Sequence, residues 1–196
     1  MFTGIIETVG KVVTVESNGN NRSFYIQSSI SPDLKVDQSV SHNGICLTVE
    51  WLEKDVHKVT AIAETIHKTN ISEWFADTLI NLERSMLMNG RVDGHIVQGH
   101  VDTTAICTSI LDKNGSHEYS FSYPGEFAPY LIEKGSISVN GISLTLFNLE
   151  QNKFSVAIIP YTFDHTNFSV LKEGTTVNIE FDMIGKYVVR MSQLRK

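Results

Sequence analysis

Ser39-Val40-Ser41-His42-Asn43-Gly44-Ile45-Cys46-Leu47-Thr48-Val49 returns as Ser136-Ile137-Ser138-Val139-Asn140-Gly141-Ile142-Ser143-Leu144-Thr145-Leu146. The offset is 97 residues (136 − 39). Three further matches keep it: Ile62-Ala63-Glu64-Thr65 with Ile159-Pro160-Tyr161-Thr162, Thr69-Asn70-Ile71-Ser72 with Thr166-Asn167-Phe168-Ser169, and Thr78-Leu79-Ile80-Asn81-Leu82-Glu83 with Thr175-Thr176-Val177-Asn178-Ile179-Glu180. A chain that repeats itself at half its length holds two copies of one domain. Two copies of one fold carry two copies of one pocket, and where the copies differ the pockets have taken different jobs. The repeat reaches the start of each half: Met1-Phe2-Thr3-Gly4-Ile5-Ile6-Glu7 aligns with Ile96-Val97-Gln98-Gly99-His100-Val101-Asp102, now at an offset of 95 (96 − 1). The slip reads as a small insertion in the first half's early loops.

The chain has 196 residues, 41% of them hydrophobic and 19% charged, as in an ordinary globular protein. The repeat divides it into two units of roughly 95 residues, within the usual domain range. No apolar run approaches the roughly 20 residues that span a bilayer, so no membrane partner is expected. No basic stretch followed by an apolar core opens the chain, so no signal peptide is expected. The net charge of −6 argues against a nucleic-acid partner, which demands a basic surface. The two cysteines, Cys46 and Cys107, lack metal spacing, and a reduced cytoplasmic protein is the simple reading.

Short strand-like runs dominate: Lys11–Val15 and Ser23–Gln27 around an Asn18-Gly19-Asn20-Asn21 turn, then Ser39–Val49, His57–Ile62 and Leu79–Met86. Met1-Phe2-Thr3-Gly4 reads as leading straight into the first strand. Helical patterns are few: Asn70–Asp77, Gly125–Glu133 with Phe127, Tyr130 and Leu131 on one face, and a terminal helix from Gly185 to Lys196. Six closely spaced strands per repeat predict a small closed barrel, because closure removes exposed edges. The expected division is therefore residues 1–94, residues 95–184 and a C-terminal helix over 185–196.

Chemistry concentrates where the repeat is matched and where it breaks. In an alternating strand Cys46 and Thr48 share one face, as do Ser143 and Thr145. Each pair stands beside a glycine that would let a ligand approach the backbone. Thr65 and Thr162 occupy a second matched position. The plainer account is that threonine favours strands and the Asn-Gly turn closes a hairpin. Three asymmetries stand out: His100 opposite Ile5, Cys46 opposite Ser143, and Asp182 opposite Ser85. Histidine titrates near neutrality and is the usual general acid or base. Cys46 is a nucleophile or a small pocket-lining group. Asp182 could equally be a solvated strand-end carboxylate. His95 and His100, five apart, fall on opposite faces of a continuous strand, which disfavours joint metal ligation.

The opening Met1–Glu7 motif, Asn43–Val49, Gly94–Asp102 and Gly141–Thr145, in that order, resemble the alpha-chain riboflavin synthases of the lumazine-binding duplicated-barrel superfamily. The resemblance covers essentially the whole chain. It implies an all-β fold of two six-stranded Greek-key barrels with a C-terminal helix, assembled as a homotrimer. It also implies a dismutation of two 6,7-dimethyl-8-ribityllumazine molecules to riboflavin and 5-amino-6-ribitylaminouracil, without cofactor or metal. In the family the N-terminal barrel of one subunit faces the C-terminal barrel of its neighbour. By resemblance, Ser39, Cys46, Thr48, Ile62, Thr65 and His100 line the first pocket, with Phe2 near its mouth. Lys134, Asn140, Ser143, Thr145, Ile159, Thr162 and Asp182 line the second, and Gly4, Gly99 and Val101 are also assigned to substrate binding. His100 is assigned to proton transfer, Ser143 and Asp182 to polarising or positioning the substrate, with Cys46 and Phe2 beside them. Asn140 and Thr60 stand where some members carry aspartate. A non-catalytic lumazine- or flavin-binding antenna protein of the same superfamily is the alternative. A flavin-reductase barrel is disfavoured because neither its Arg-x-Tyr-Ser/Thr signature nor a Gly-x-Gly-x-x-Gly motif is present.

Overall fold

Alternation along Ile45–Leu47–Val49 turns these three side chains into a core and leaves Cys46 half-buried and Thr48 exposed. The same period runs through both halves of the computed structural model, which describes residues 1–194. The first half folds as β1 (Thr8–Asn18), β2 (Asn21–Gln27), β3 (Ser39–His42), β4 (Ile45–Glu53), β5 (Val56–Ala61) and β6 (Leu79–Arg84). The second repeats it as β7 (Thr103–Asp112), β8 (His117–Ser122), β9 (Ser136–Val139), β10 (Ile142–Phe147), β11 (Lys153–Ile158) and β12 (Thr176–Phe181). The first barrel closes in the order β1-β2-β5-β4-β3-β6, all antiparallel, and the second follows the same Greek-key order. The expected pair of six-stranded barrels with a C-terminal helix is borne out.

Each barrel is filled, not hollow. Val12, Phe24, Ile26, Val49, Val59, Ile80 and Leu82 pack the first, and Tyr119, Phe121, Phe154, Val156, Ile179 and Phe181 the second. Residues that alternate with these face outward, so any ligand must sit on the outer wall.

Several local expectations change. Residues 28–38 join β2 to β3 and residues 123–135 join β8 to β9, so the extra two residues lie in the second half, not the first. They lengthen a 3-10 turn, Gly125–Tyr130, where an α-helix was expected. Pro129 inside it has no N–H to donate and favours the tighter turn. Asn70–Glu73 is likewise a single 3-10 turn. Two short helices were not anticipated: α1 (Ala63–Lys68) and α2 (Pro160–His165), which carry Thr65 and Thr162. The terminal helix, α3 (Met183–Gln193), begins at its Asp182 cap; Arg195 and Lys196 lie outside the described residues.

The largest correction concerns the ends of the repeat. Met1-Phe2-Thr3-Gly4 does not run straight into the first strand, which begins only at Thr8, and Gly94–Asp102 is not a continuous strand. Both run between the barrels as extended leaders. Phe2 N donates to Val97 O at 2.7 Å, Val97 N to Phe2 O at 3.1 Å, and His95 N to Thr3 O at 3.1 Å. Phe2, expected near a pocket mouth, is fully buried at this crossing. A pseudo-twofold axis relates the two leaders.

A network of asparagines lies on that axis. Asn81 N donates to Asn43 Oδ1 and Asn178 N to Asn140 Oδ1, each within its own barrel. Asn81 Nδ2 then donates to Asn140 O at 3.0 Å, and Asn178 Nδ2 to Asn43 O at 2.9 Å, between barrels. Asn167 N donates to Asn81 Oδ1 and Asn70 N to Asn178 Oδ1. Gly44 and Gly141 meet here with φ of +78° and +82°, and a Cβ on Gly44 would stand 2.8 Å from Gly141 N. These glycines admit the other barrel's backbone rather than a ligand, which overturns the expectation drawn from the turn. Asn140 is buried in this network with its side chain engaged, so it does not line the second pocket as expected.

Candidate active site

Two outward-facing sites follow from this architecture. On the first barrel, β4 turns Cys46 outward and its N–H donates to Gly99 O at 2.9 Å. The leader from Gly99 to Val101 thereby forms one wall, and α1 the other. Ile45, Cys46, Glu64, Thr65, Lys68, Thr69, Gly99, His100 and Val101 enclose a cleft of about 250 Å³. It gathers three residues expected in the first pocket, Cys46, Thr65 and His100, together with Gly99 and Val101, which were expected to bind substrate. Ser39 and Thr48 are a cross-strand pair next to Ser41 and Cys46, farther along the same wall. Ile62 precedes α1 and is exposed. Thr60 lies outside, donating to Glu50 and bonded to Ser23. Glu64 and Lys68, ion-paired at 3.0 Å across one helical turn, were missed.

On the second barrel, β10 presents Ser143 as the counterpart of Cys46. Ser143 N donates to Gly4 O at 2.8 Å, so the leader of the first barrel walls this site. Gly4 has φ +78°, and a Cβ there would stand 2.5 Å from Ser143 Cβ. Ser143 Oγ lies 2.6 Å from His95 Nδ1. A Cβ on Gly94 would stand 2.9 Å from that hydroxyl, so glycine at this position lets His95 reach it. Burial pushes His95 below the ordinary histidine value, and the Asp182 carboxylate opposes this. The ring is therefore neutral at neutral pH and can exchange a proton with the hydroxyl. Asp182 also caps α3, accepting from Ile184 N at 2.9 Å. Thr145 faces outward two residues beyond Ser143 and pairs with Ser136. Ile159 and Thr162 sit at the start of α2, matching Ile62 and Thr65 on the first barrel. Lys134 is exposed, with Nζ 5.0 Å from the centre of the Phe147 ring.

His95 was read from the sequence only as an improbable metal ligand. Its partner is 48 residues away, and no local pattern joins them. The first barrel has no counterpart to the His95–Ser143–Asp182 group: Cys46 replaces the serine and Ser85 the aspartate. Conversely His100 belongs to the first cleft alone. The two sites share a frame and differ in their ionisable groups. Among the described residues no cluster of three or more His, Cys, Asp or Glu is placed to hold a metal ion. No helix among them is long and apolar enough to cross a membrane.

The profile of the lumazine binding domain matches residues 3–85 and again residues 98–182. Fold and paired sites thus define a duplicated lumazine-binding-domain protein. The chain is 40% identical over 191 residues to riboflavin synthase of Bacillus subtilis, covering 97% of this chain and 89% of the relative. It is 38% identical to that of Actinobacillus pleuropneumoniae, covering 96% and 88%, and 35% identical to that of Brucella abortus over the full length of both. The chain belongs to the riboflavin synthase family. Its fold also resembles LumP complexed with riboflavin (TM-score 0.87) and with 6,7-dimethyl-8-(1'-D-ribityl) lumazine (TM-score 0.84). Each of these is 20% identical, covering 92% of this chain and 99% of the other.

Proposed function

We propose that the protein is a transferase that converts two 6,7-dimethyl-8-ribityllumazine molecules to riboflavin and 5-amino-6-ribitylaminouracil by moving a four-carbon unit. The observation that carries this reading is a pair of like-framed sites with unlike ionisable groups. Two identical substrates call for two similar clefts. A donor and an acceptor call for different proton chemistry in each.

The lumazine C7 methyl is acidic because its carbanion delocalises into the ring. A weak, well-placed base is sufficient, and a neutral imidazole beside a hydroxyl is one. In the second site His95 and Ser143 relay that proton, with Asp182 favouring the imidazolium as it forms. In the first site His100 transfers protons and Cys46 and Thr65 contact the ring or ribityl chain. Holding two rings in register contributes several kcal/mol through avoided translational and rotational freedom.

The reading extends to a homotrimer in which clefts of neighbouring subunits face each other. The apolar side of α3 supports it: Ile184, Tyr187, Val188, Met191 and Leu194 are all more than half exposed in the single chain. Two free cysteines suit a cytoplasmic location. Incubation of pure protein with the dimethylribityllumazine alone tests the proposal. Riboflavin fluorescence should grow, and should survive a chelator and the omission of nicotinamide cofactors. The fold likeness to LumP favours a second reading, a non-catalytic carrier of the same ligands. Tight binding without any product would select it.

A further inference from the structure

Each site is walled by a leader that pairs with one barrel and is anchored on the other. The leader Gln98–His100 pairs with Cys46 of the first barrel. Its anchor is Glu180 on β12 of the second: Oε1 accepts from Gln98 N at 2.7 Å, and Oε2 from Gly99 N and His100 N, both at 2.9 Å. The leader Thr3–Gly4 pairs with Ser143 of the second barrel. Its anchor is Glu83 on β6 of the first, accepting from Thr3 N at 2.6 Å, Thr3 Oγ1 at 2.8 Å and Gly4 N at 3.0 Å. Glu180 and Glu83 are almost wholly buried, at 2% and 4% exposure. Burial pushes both carboxyls above the ordinary range, and the three donors at each pull the other way. Neither side chain lines the cleft at Cys46 and His100, and Glu83 borders a separate cavity behind its own leader, with Thr3, Ile5 and Ser85. A buried carboxylate is costly unless its oxygens are satisfied, and here backbone N–H groups of one short segment satisfy them.

We propose that Glu180 and Glu83 are positioning residues that act crosswise. Glu180, in the second barrel, holds the backbone that carries His100 and so sets ligand affinity at the first cleft. Glu83, in the first barrel, holds Gly4 against Ser143 and so sets affinity at the second site. The proposal rests on the reading of the two sites as lumazine and riboflavin sites. It adds that neither barrel controls its own site. The corresponding row in each barrel supports this: Cys46, Ser41 and Glu83 are cross-strand neighbours in the first, and Ser143, Ser138 and Glu180 in the second. The carboxylate nearest each site in its own sheet holds the leader of the other.

Glutamine is the informative substitution. It keeps the shape, but one acceptor oxygen becomes an N–H₂ donor facing N–H donors. The full-length Glu180→Gln and Glu83→Gln variants are compared with wild type by peptide-resolved hydrogen exchange, with and without riboflavin. Without ligand, exchange over residues 98–100 should rise at least tenfold in Glu180→Gln while residues 3–4 stay as in wild type. Glu83→Gln should give the reverse. With ligand, Glu180→Gln should lose protection around Cys46 and keep it around Ser143, again reversed in Glu83→Gln. Loss at the site of the same barrel, or equal loss at both, overturns the proposal. If riboflavin protects neither site in the wild type, the ligand reading falls and the affinity claim falls with it. The ligand-free exchange pattern still decides whether the anchoring is crossed. If either glutamine variant does not fold, the Asp variant, charged but shorter in reach, carries the same test. It should show the same crossed pattern at smaller amplitude, and an uncrossed pattern refutes it.

Discussion

Acidification from about pH 7 to about pH 5 should weaken the first barrel through a pair of histidines that the second barrel lacks. His42 and His57 are fully buried, with Nε2 atoms 2.9 Å apart. The hydrogen bonds settle every proton in the chain they form. His42 Nδ1 lies 3.0 Å from Val40 O, a pure acceptor, so it carries hydrogen and its Nε2 is bare. His57 Nε2 must then donate to it, which leaves His57 Nδ1 to accept from Ser31 Oγ at 2.8 Å. Ser31 in turn accepts from Ser28 Oγ at 2.7 Å. Both rings are neutral, and among the described residues no carboxylate bonds to either ring to welcome a charge. Glu83 on β6 neighbours Leu82, the partner of His42, and turns to the opposite face, while Asp33 pairs with Arg84 at the surface. Burial lowers His57 from 6.5 to about 4, and burial together with the other ring lowers His42 well below its ordinary value.

The sign follows from linkage. A histidine depressed on folding contributes stability that is complete above its unfolded value of 6.5. That stability is lost as the pH falls toward the folded value. At about 1.4 kcal/mol per pH unit, His57 alone removes about 2 kcal/mol between pH 7 and pH 5, and His42 adds in the same direction. Glu83 and Glu180, both raised, act in the opposite sense, so the quantity to read is a difference between proteins. The comparison is His42→Val with His57→Phe, the residues found at the matching positions Val139 and Phe154. Both tryptophans, Trp51 and Trp74, lie in the first barrel, so urea titrations followed by tryptophan emission report on it selectively. Parallel loss of stability in wild type and double variant would refute the reasoning. So would a His57 ring that titrates near 6.5 by NMR, whatever the variant does.

Ser143→Ala or His95→Gln should lower kcat at least tenfold, the conservative side of the roughly 10²–10⁴ attributed to positioned proton transfer. Wild-type turnover in both would remove the pair from the mechanism. His100→Gln should likewise lower kcat with lumazine affinity little changed, whereas Thr48→Val, losing a hydrogen bond of about 1 kcal/mol, should weaken binding more than turnover. Steady-state kinetics with fluorescence titration separates the two patterns. Gly99→Ala meets Cys46 Cβ at 2.6 Å in a φ of +79°, and should cost more than the roughly 1 kcal/mol of left-handed backbone alone and abolish binding at the first cleft. An unchanged melting temperature would contradict this. The fragment 1–94, the unit proposed from the repeat, lacks Gly99 and His100. Because Phe2–Gly4 is the symmetric counterpart of the missing leader, the fragment should bind riboflavin only as a dimer, and sedentation-velocity runs showing a binding-competent monomer would count against it.

The chain alone carried the duplication, the number and closure of strands, and the outward pairs Cys46/Thr48 and Ser143/Thr145. These are signals of period two and of a fixed offset, which local sequence expresses directly. It also carried the asymmetries at His100, Cys46 and Asp182. More was present than was read: Asn43/Asn140, Asn70/Asn167 and Asn81/Asn178 are three identical pairs at the common offset. Identical polar residues at buried matched positions are the mark of a symmetric contact, here the seam between barrels. The bond between His95 and Ser143, the crossing of the leaders and the anchoring of each by the opposite barrel's wall could not be seen before the fold. They join residues 48 to 95 positions apart, each through a segment without regular structure. A contact of that kind leaves no period in the chain. It exists only because two closed barrels, stacked about an axis, bring their ends to the same place.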